Sequence, residues 1–190
     1  LSELSLDKRK TGLVEIDLQK GIVSMETKPH DTRTVISNAA KLAEAFRENK
    51  MPVFLVHVAV SRETALQPIA DLAMPSRGEL PSDWADITPE LGPTPTDVVI
   101  TKRQWGAFYG TDLDLRLRRR GLDTIVLAGI ATTYGVESTA RFAYEYGYQQ
   151  IFAEDAMSDR STEAHNSSIE FVLKRIGRVR KTADILEALK

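Results

Sequence analysis

Thr124–Ala140 reads TIVLAGIATTYGVESTA. An apolar, β-branched run from Thr124 to Ile130 ends in a short polar turn, and the turn opens onto a helix whose first turn begins near Gly135. In an open parallel sheet, ligands sit outside the carboxyl ends of strands, where loops pass to helix N-termini. Backbone N–H groups are unpaired there and the helix dipole is positive, so an anion or a developing oxyanion is favoured. Chemistry is expected at this turn, although it offers Gly135 and no evident nucleophile.

The same alternation of strand and helix extends to both sides. Thr11–Leu18 (TGLVEIDL) reads as a first strand whose apolar run stops at Asp17. Asp31 or Thr32 can cap a helix with an apolar stripe of Val35, Ile36, Ala39, Ala40, Leu42, Ala43 and Phe46. Pro52–Val60 is nearly continuous in apolar residues, as a strand covered on both faces should be. Ser61–Pro95 holds six of the eight prolines, and a loop of this length implies a lid, a binding loop or an oligomer contact, with Trp84 as an anchor.

Asp97–Lys102 is a third strand, and Thr111–Asp114 resembles a capping box before a helix with Leu113, Leu115 and Leu117. The helix after Thr124–Ile130 carries Val136, Ala140, Ala143 and Tyr144 and ends at Gly147. Tyr148–Ala153 is a fifth strand, ending before Glu154 and Asp155. Thr162–Lys174 is a helix with Ala164, Ile169, Phe171, Val172 and Leu173. Arg178–Arg180 is a short edge strand, and Thr182 caps a closing helix. The pattern predicts one α/β domain over residues 1–190, a three-layer α-β-α sandwich with a mainly parallel, doubly wound, Rossmann-like sheet of about six strands.

Composition narrows the function classes. Net charge is 25 minus 27, or −2, which gives no nucleic-acid footprint. Cysteine is absent, which excludes disulfides, thiolate metal sites and cysteine nucleophiles, and suits a cytoplasmic location. No apolar run approaches the ~20 residues of a membrane helix. No dinucleotide fingerprint follows the first strand, no phosphate-binding P-loop occurs, and no serine sits in a nucleophile elbow. His57 lies in an apolar strand and reads as a satisfied core histidine. His30 and His165 have no carboxylate partner at a useful spacing. Asp17, Lys102 and the Ile130–Gly135 turn all fall at carboxyl ends of strands, where a carboxylate and an ammonium can hold each other charged and move protons.

Four stretches together resemble the isochorismatase-like (cysteine) hydrolase superfamily over nearly the whole chain. They are VEIDLQ at Val14–Gln19, KRQWGAFYGTDL at Lys102–Leu113, AGIATTYGVESTAR at Ala128–Arg141 and EDA at Glu154–Ala156. The resemblance implies a triad of Asp, Lys and Cys whose matching positions are Asp17, Lys102 and Gly135, with glycine where the nucleophile belongs. It implies a non-proline cis peptide at Ile130–Ala131, with the N–H groups of Ala131 and Gly135 as oxyanion donors. Substrate contacts are expected from Gln19, Trp105, Phe108, Ile130, Ala131 and Tyr134.

Metal-dependent relatives such as nicotinamidases use an Asp-x-His pair and a further histidine beyond the second strand. The stretch after His57 reads VAVSRE, so no metal and no cofactor is expected. True isochorismatases split a vinyl ether without a cysteine, an Asp acting as general acid. Asp17 can take that role with Lys102 beside it and room at Gly135. Their Tyr at the position of Ala131 does not carry over. The expectation is a homo-oligomeric hydrolase, dimer or tetramer, acting on a small metabolite. The alternative is a catalytically silent member that binds a small carboxylate.

Overall fold

The computed structural model describes residues 4–60, 66, 68–72 and 80–190. Six strands form one sheet: β1 (Thr11–Ile16), β2 (Val53–Val58), β3 (Val98–Lys102), β4 (Thr124–Ile130), β5 (Gln149–Ser158) and β6 (Arg178–Arg180). Their order is β3-β2-β1-β4-β5-β6, and every pairing is parallel. The helices are α1 (Lys20–Val23), α2 (Thr32–Glu48), α3 (Leu113–Arg119), α4 (Glu137–Glu145), α5 (Thr162–Ser168), α6 (Lys174–Ile176) and α7 (Thr182–Glu187). This is the doubly wound α/β fold that the alternation predicts.

Side-chain alternation sorts the core into two layers. Leu13 and Leu55 face α2 and α7, where they meet Val35, Leu42, Phe46 and Ile185. Val14, Ile16 and Val56 face the other side, with Leu113 and Leu117 of α3 and Ala140 and Ala143 of α4. Helix α2 starts where Asp31 Oδ1 accepts the Thr34 N–H at 3.0 Å. The sheet reverses its winding between β1 and β4, and a crevice opens at the carboxyl ends of strands on either side of such a switch point.

Several local expectations change. Strand β5 runs through Glu154 and Asp155 to Ser158. Against β4, Leu127 pairs with Phe152 but Gly129 pairs with Met157, so the intervening residues of β5 bulge outward. The bulge explains why the periodicity broke at Ala153. Thr111 Oγ1 accepts the Leu113 N–H, but the N-cap of α3 is Asp112, which makes no side-chain cap bond; no reciprocal box forms. Thr182 is the first residue of α7 rather than its cap, and its N–H and hydroxyl both donate to Asp155 Oδ1 at 2.7 Å. The helix over Thr162–Lys174 is interrupted by a π-helical turn at Ile169–Leu173, which shifts the stripe and leaves Phe171 exposed. Leu115 and Tyr144 are exposed as well.

Within the proline-rich stretch, residues 61–65, 67 and 73–79 lie outside the described residues, and so does the part of the expectation that falls on them. Trp84 packs on its own chain: its ring covers Gly21, where a Cβ would sit about 2.0 Å away. Among the described residues, no helix is long and apolar enough to cross a membrane.

Candidate active site

The chain leaves β1 through Asp17, whose φ of 54° lies in the left-handed region. A non-glycine residue adopts that conformation only where its surroundings enforce it. Here the Asp17 N–H donates to Val56 O at 2.8 Å, which ties the turn to β2. The turn directs the carboxylate to Lys102 at the end of β3, with Oδ2 and Nζ 2.8 Å apart. Both side chains are buried, Asp17 at 6% and Lys102 at 1% exposure. Lys102 Nζ also donates to Gln104 O at 3.0 Å. Asp17 Oδ1 is buried with no hydrogen-bond partner among the described residues.

Burial raises the pKa of Asp17 to about 6, with the Lys102 ammonium as the main opposing influence and His57 adding to it. An acid in that range exchanges its proton near neutral pH.

Gly135 lies against this pair. A Cβ built on it would stand 3.0 Å from Asp17 Oδ2 and 2.8 Å from Ile16 Cγ2. A side chain at position 135 therefore requires Ile16 and the Asp17 carboxylate to shift slightly. The Ile130–Ala131 peptide is cis, as the resemblance implies. A π-helical turn, Thr132–Val136, follows it and leads into α4. The Ala131 carbonyl accepts from the Tyr134 N–H at 3.1 Å and from the Val136 N–H at 3.3 Å.

The remaining expected contacts divide. Trp105 and Tyr134 meet edge-to-face with ring centroids 4.8 Å apart, both partly exposed, at the rim. Phe108 instead enters the core between Tyr146 and Tyr148, and Ile130 is buried in the opposite layer. Gln19 is fully buried and clamps backbone. Its Nε2 donates to Val58 O and Trp84 O at 3.0 and 3.3 Å, and its Oε1 accepts the Val58 N–H at 2.8 Å. His57 is half-buried rather than a core residue, with its ring nitrogens 2.6 Å from Ala85 O and 2.7 Å from Thr101 Oγ1.

Residues that the sequence reading passed over hold the turn. Asp159, just past β5, accepts from both the Thr133 N–H and hydroxyl at 2.7 Å. Thr139 accepts the Ala107 N–H at 3.0 Å and donates to Gly135 O at 2.7 Å, joining the lysine loop to the glycine helix. Thr132 Oγ1 lies 2.8 Å from His165 Nδ1. His30 and His165 also gain the carboxylate partner that spacing did not reveal: Glu154 Oε1 is 2.9 Å from His30 Nε2 and 3.3 Å from His165 Nε2. His165, Lys181 and His30 hold the Glu154 carboxyl well below the usual range despite its partial burial. An earlier signal for Asp159 existed, since a strand continued through DAMS places it at a strand end beside the Ile130–Gly135 turn.

The arrangement is a buried acid and ammonium beneath a backbone turn, with the Thr132 and Thr133 hydroxyls engaged elsewhere. A family model described as the isochorismatase domain matches residues 11–184. An uncharacterised isochorismatase family protein, YwoC of Bacillus subtilis, is 50% identical over 192 residues and covers all of both chains. A probable isochorismatase of Pseudomonas chlororaphis is 28% identical over 98% of this chain and 89% of its own. The solved structure of an isochorismatase family protein from Burkholderia thailandensis superposes with a TM-score of 0.93 at 45% identity, covering 99% of each chain.

Proposed function

This chain belongs to the isochorismatase family, and from that premise we propose that it hydrolyses a small metabolite by acid–base chemistry of Asp17 and Lys102, without a cysteine nucleophile. The observation that carries the reading is the buried 2.8 Å contact of Asp17 and Lys102, with Gly135 packed closely on Asp17. The Thr132 and Thr133 hydroxyls are engaged away from the site. Thr132 is bonded toward Ser158 and His165, and Thr133 toward Asp159.

A vinyl ether suits this pair. Protonated Asp17 donates its proton to the enol ether carbon, and positive charge develops at the carbon bearing the ether oxygen. Lys102 remains charged and stabilises the carboxylate that results. Water adds to the cationic carbon and returns a proton to Asp17. The hemiketal so formed splits into a ketone and an alcohol. Backbone N–H groups of Ala131 and Gly135 can hold a substrate oxygen during these steps, and Trp105 and Tyr134 form the apolar lip of the entrance. Similarity to a relative named a probable isochorismatase supports this choice of substrate class.

The test is a panel of small vinyl ethers, amides and ureides followed by mass spectrometry, at pH values on both sides of 6. With Asp17 as general acid, kcat/KM is high below about pH 6 and falls about tenfold per unit above it. Turnover that is independent of pH between 5 and 8 overturns the assignment. Saturable binding with no product across the panel favours the silent carboxylate binder.

A further inference from the structure

The geometry points to a second site: His30, Glu154 and His165 form a site for a divalent transition-metal ion at the bulge of β5. His30 Nε2, Glu154 Oε1 and His165 Nε2 lie within 4.8 Å of one another. The loop before α2, the bulge of β5 and helix α5 each supply one ligand atom. Two imidazoles and a carboxylate are a donor set for Zn2+ and its neighbours, whereas Mg2+ and Ca2+ take oxygen ligands. These residues are not those of the Asp-x-His pattern weighed in the sequence. The inference does not rest on the reading of Asp17 and Lys102.

The count of protons around Thr132 supports it. Thr132 Oγ1 lies 3.1 Å from Ser158 O and 2.8 Å from His165 Nδ1. The hydroxyl has one proton, and a carbonyl can only accept. Both contacts are hydrogen bonds when Thr132 donates to Ser158 and His165 donates from Nδ1. With Nδ1 donating to Thr132, the 3.3 Å contact of Nε2 with Glu154 Oε1 is held together by either a proton on Nε2 or a cation between the two atoms. With the cation, His30 completes a three-ligand set with a coordination position left over. An Nδ1–H fixed by a neighbouring oxygen is also what orients metal-binding histidines.

Glu154 divides its oxygens, Oε2 accepting from Lys181 Nζ while Oε1 faces both imidazoles. The Lys181 ammonium repels a second cation, so the affinity is lower than an unopposed His-His-Glu set would give. His165 is fully buried, whereas the side chains of His30 and Glu154 are 22% and 17% exposed and leave an entry path.

Metal-free protein is titrated with Co2+ and with Zn2+, and bound metal is measured after gel filtration. The expected result is about one ion per chain, with a visible ligand-field band for Co2+. His165→Ala, Glu154→Gln and His30→Ala each weaken uptake by at least about tenfold, the lower end of what even an outer partner is worth. His30 sits in a half-buried loop, so its variant decides the matter if the buried His165→Ala fails to fold. Absence of stoichiometric uptake, or uptake undiminished in the folded variants, overturns the inference. A His165 ring that NMR shows doubly protonated and insensitive to added Zn2+ overturns it too, because a proton then fills the place.

Discussion

Strand β1 buries two carboxylates two residues apart, one in its interior and one just past its carboxyl end. Glu15, inside, has no hydrogen-bond partner for either oxygen among the described residues. Burial pushes its pKa up to about 8, with the charge of Arg47 opposing. Asp17, at the end, is nearly as buried, but Lys102 lies 2.8 Å away and its pKa rises only to about 6. Burial alone makes a carboxyl that stays neutral. Burial beside an ammonium makes one that can give and regain a proton near neutral pH. The difference comes from position: the strand interior meets apolar side chains of α2, whereas the strand end meets what neighbouring strands and loops bring to the crevice.

In order of effect on turnover, Asp17→Asn should break the comparison most completely, lowering kcat/KM by about 10²-fold or more on any substrate the panel identifies. Unchanged turnover would remove Asp17 from the mechanism. Lys102→Met should make Asp17 resemble Glu15. The descending limb of the pH profile moves up by about one unit or more, and the plateau on its acid side drops about tenfold, because the carboxylate left by proton transfer has lost its ammonium. A limb that stays near pH 6 would show that Lys102 does not set the acid.

Gly135→Cys tests the packing. Its Cβ meets Asp17 and Ile16 at 3.0 and 2.8 Å, so thermal unfolding should report a loss of about 1–3 kcal/mol and no amidase activity should appear. A stable variant that hydrolyses amides would argue that the pocket keeps the geometry of a cysteine enzyme. Glu15→Gln should have the smallest effect on turnover, within about twofold, and act on stability instead. The folded pKa of Glu15 is raised, so its contribution to stability is complete below about 4.5 and is lost as pH rises toward 8. Denaturant melts across that range should fall with pH in the parent and flatten in the variant.

The fold was legible because each strand is a short apolar run bounded by turn residues, and α2 announces itself by the Asp31 cap and a regular stripe. The convergence of Asp17, Lys102 and the turn that ends at Gly135 was legible for a related reason: the carboxyl ends of parallel strands lie along one edge of the sheet, so residues just past them are brought together. What the sequence concealed depends on irregular backbone. The bulge in β5 breaks a period of two, so the strand read as ending at Ala153, before Glu154, and Asp159 drew no notice. His30 and Glu154 are 124 residues apart, and no local pattern signals such a contact. Gln19 shows the reverse failure. Its place beside the aspartate matches a substrate contact, yet both ends of its amide are engaged by Val58 and Trp84, which only the path of the backbone reveals.

The hydroxyl of Thr139 takes on its further meaning when the protein is considered as something to be rebuilt. It grips Ala107 on one side and the Gly135 carbonyl on the other. The loop after Lys102 and the helix after Gly135 are therefore a single exchangeable part, with Thr139 as its rivet. A graft that brings in a new helix entrance without the matching loop, or the loop without this threonine, breaks the tie between Ala107 and Gly135. Recombination between relatives, natural or in the laboratory, should keep active chimeras when its crossovers fall outside residues 102 to 139 and lose them when a junction falls within.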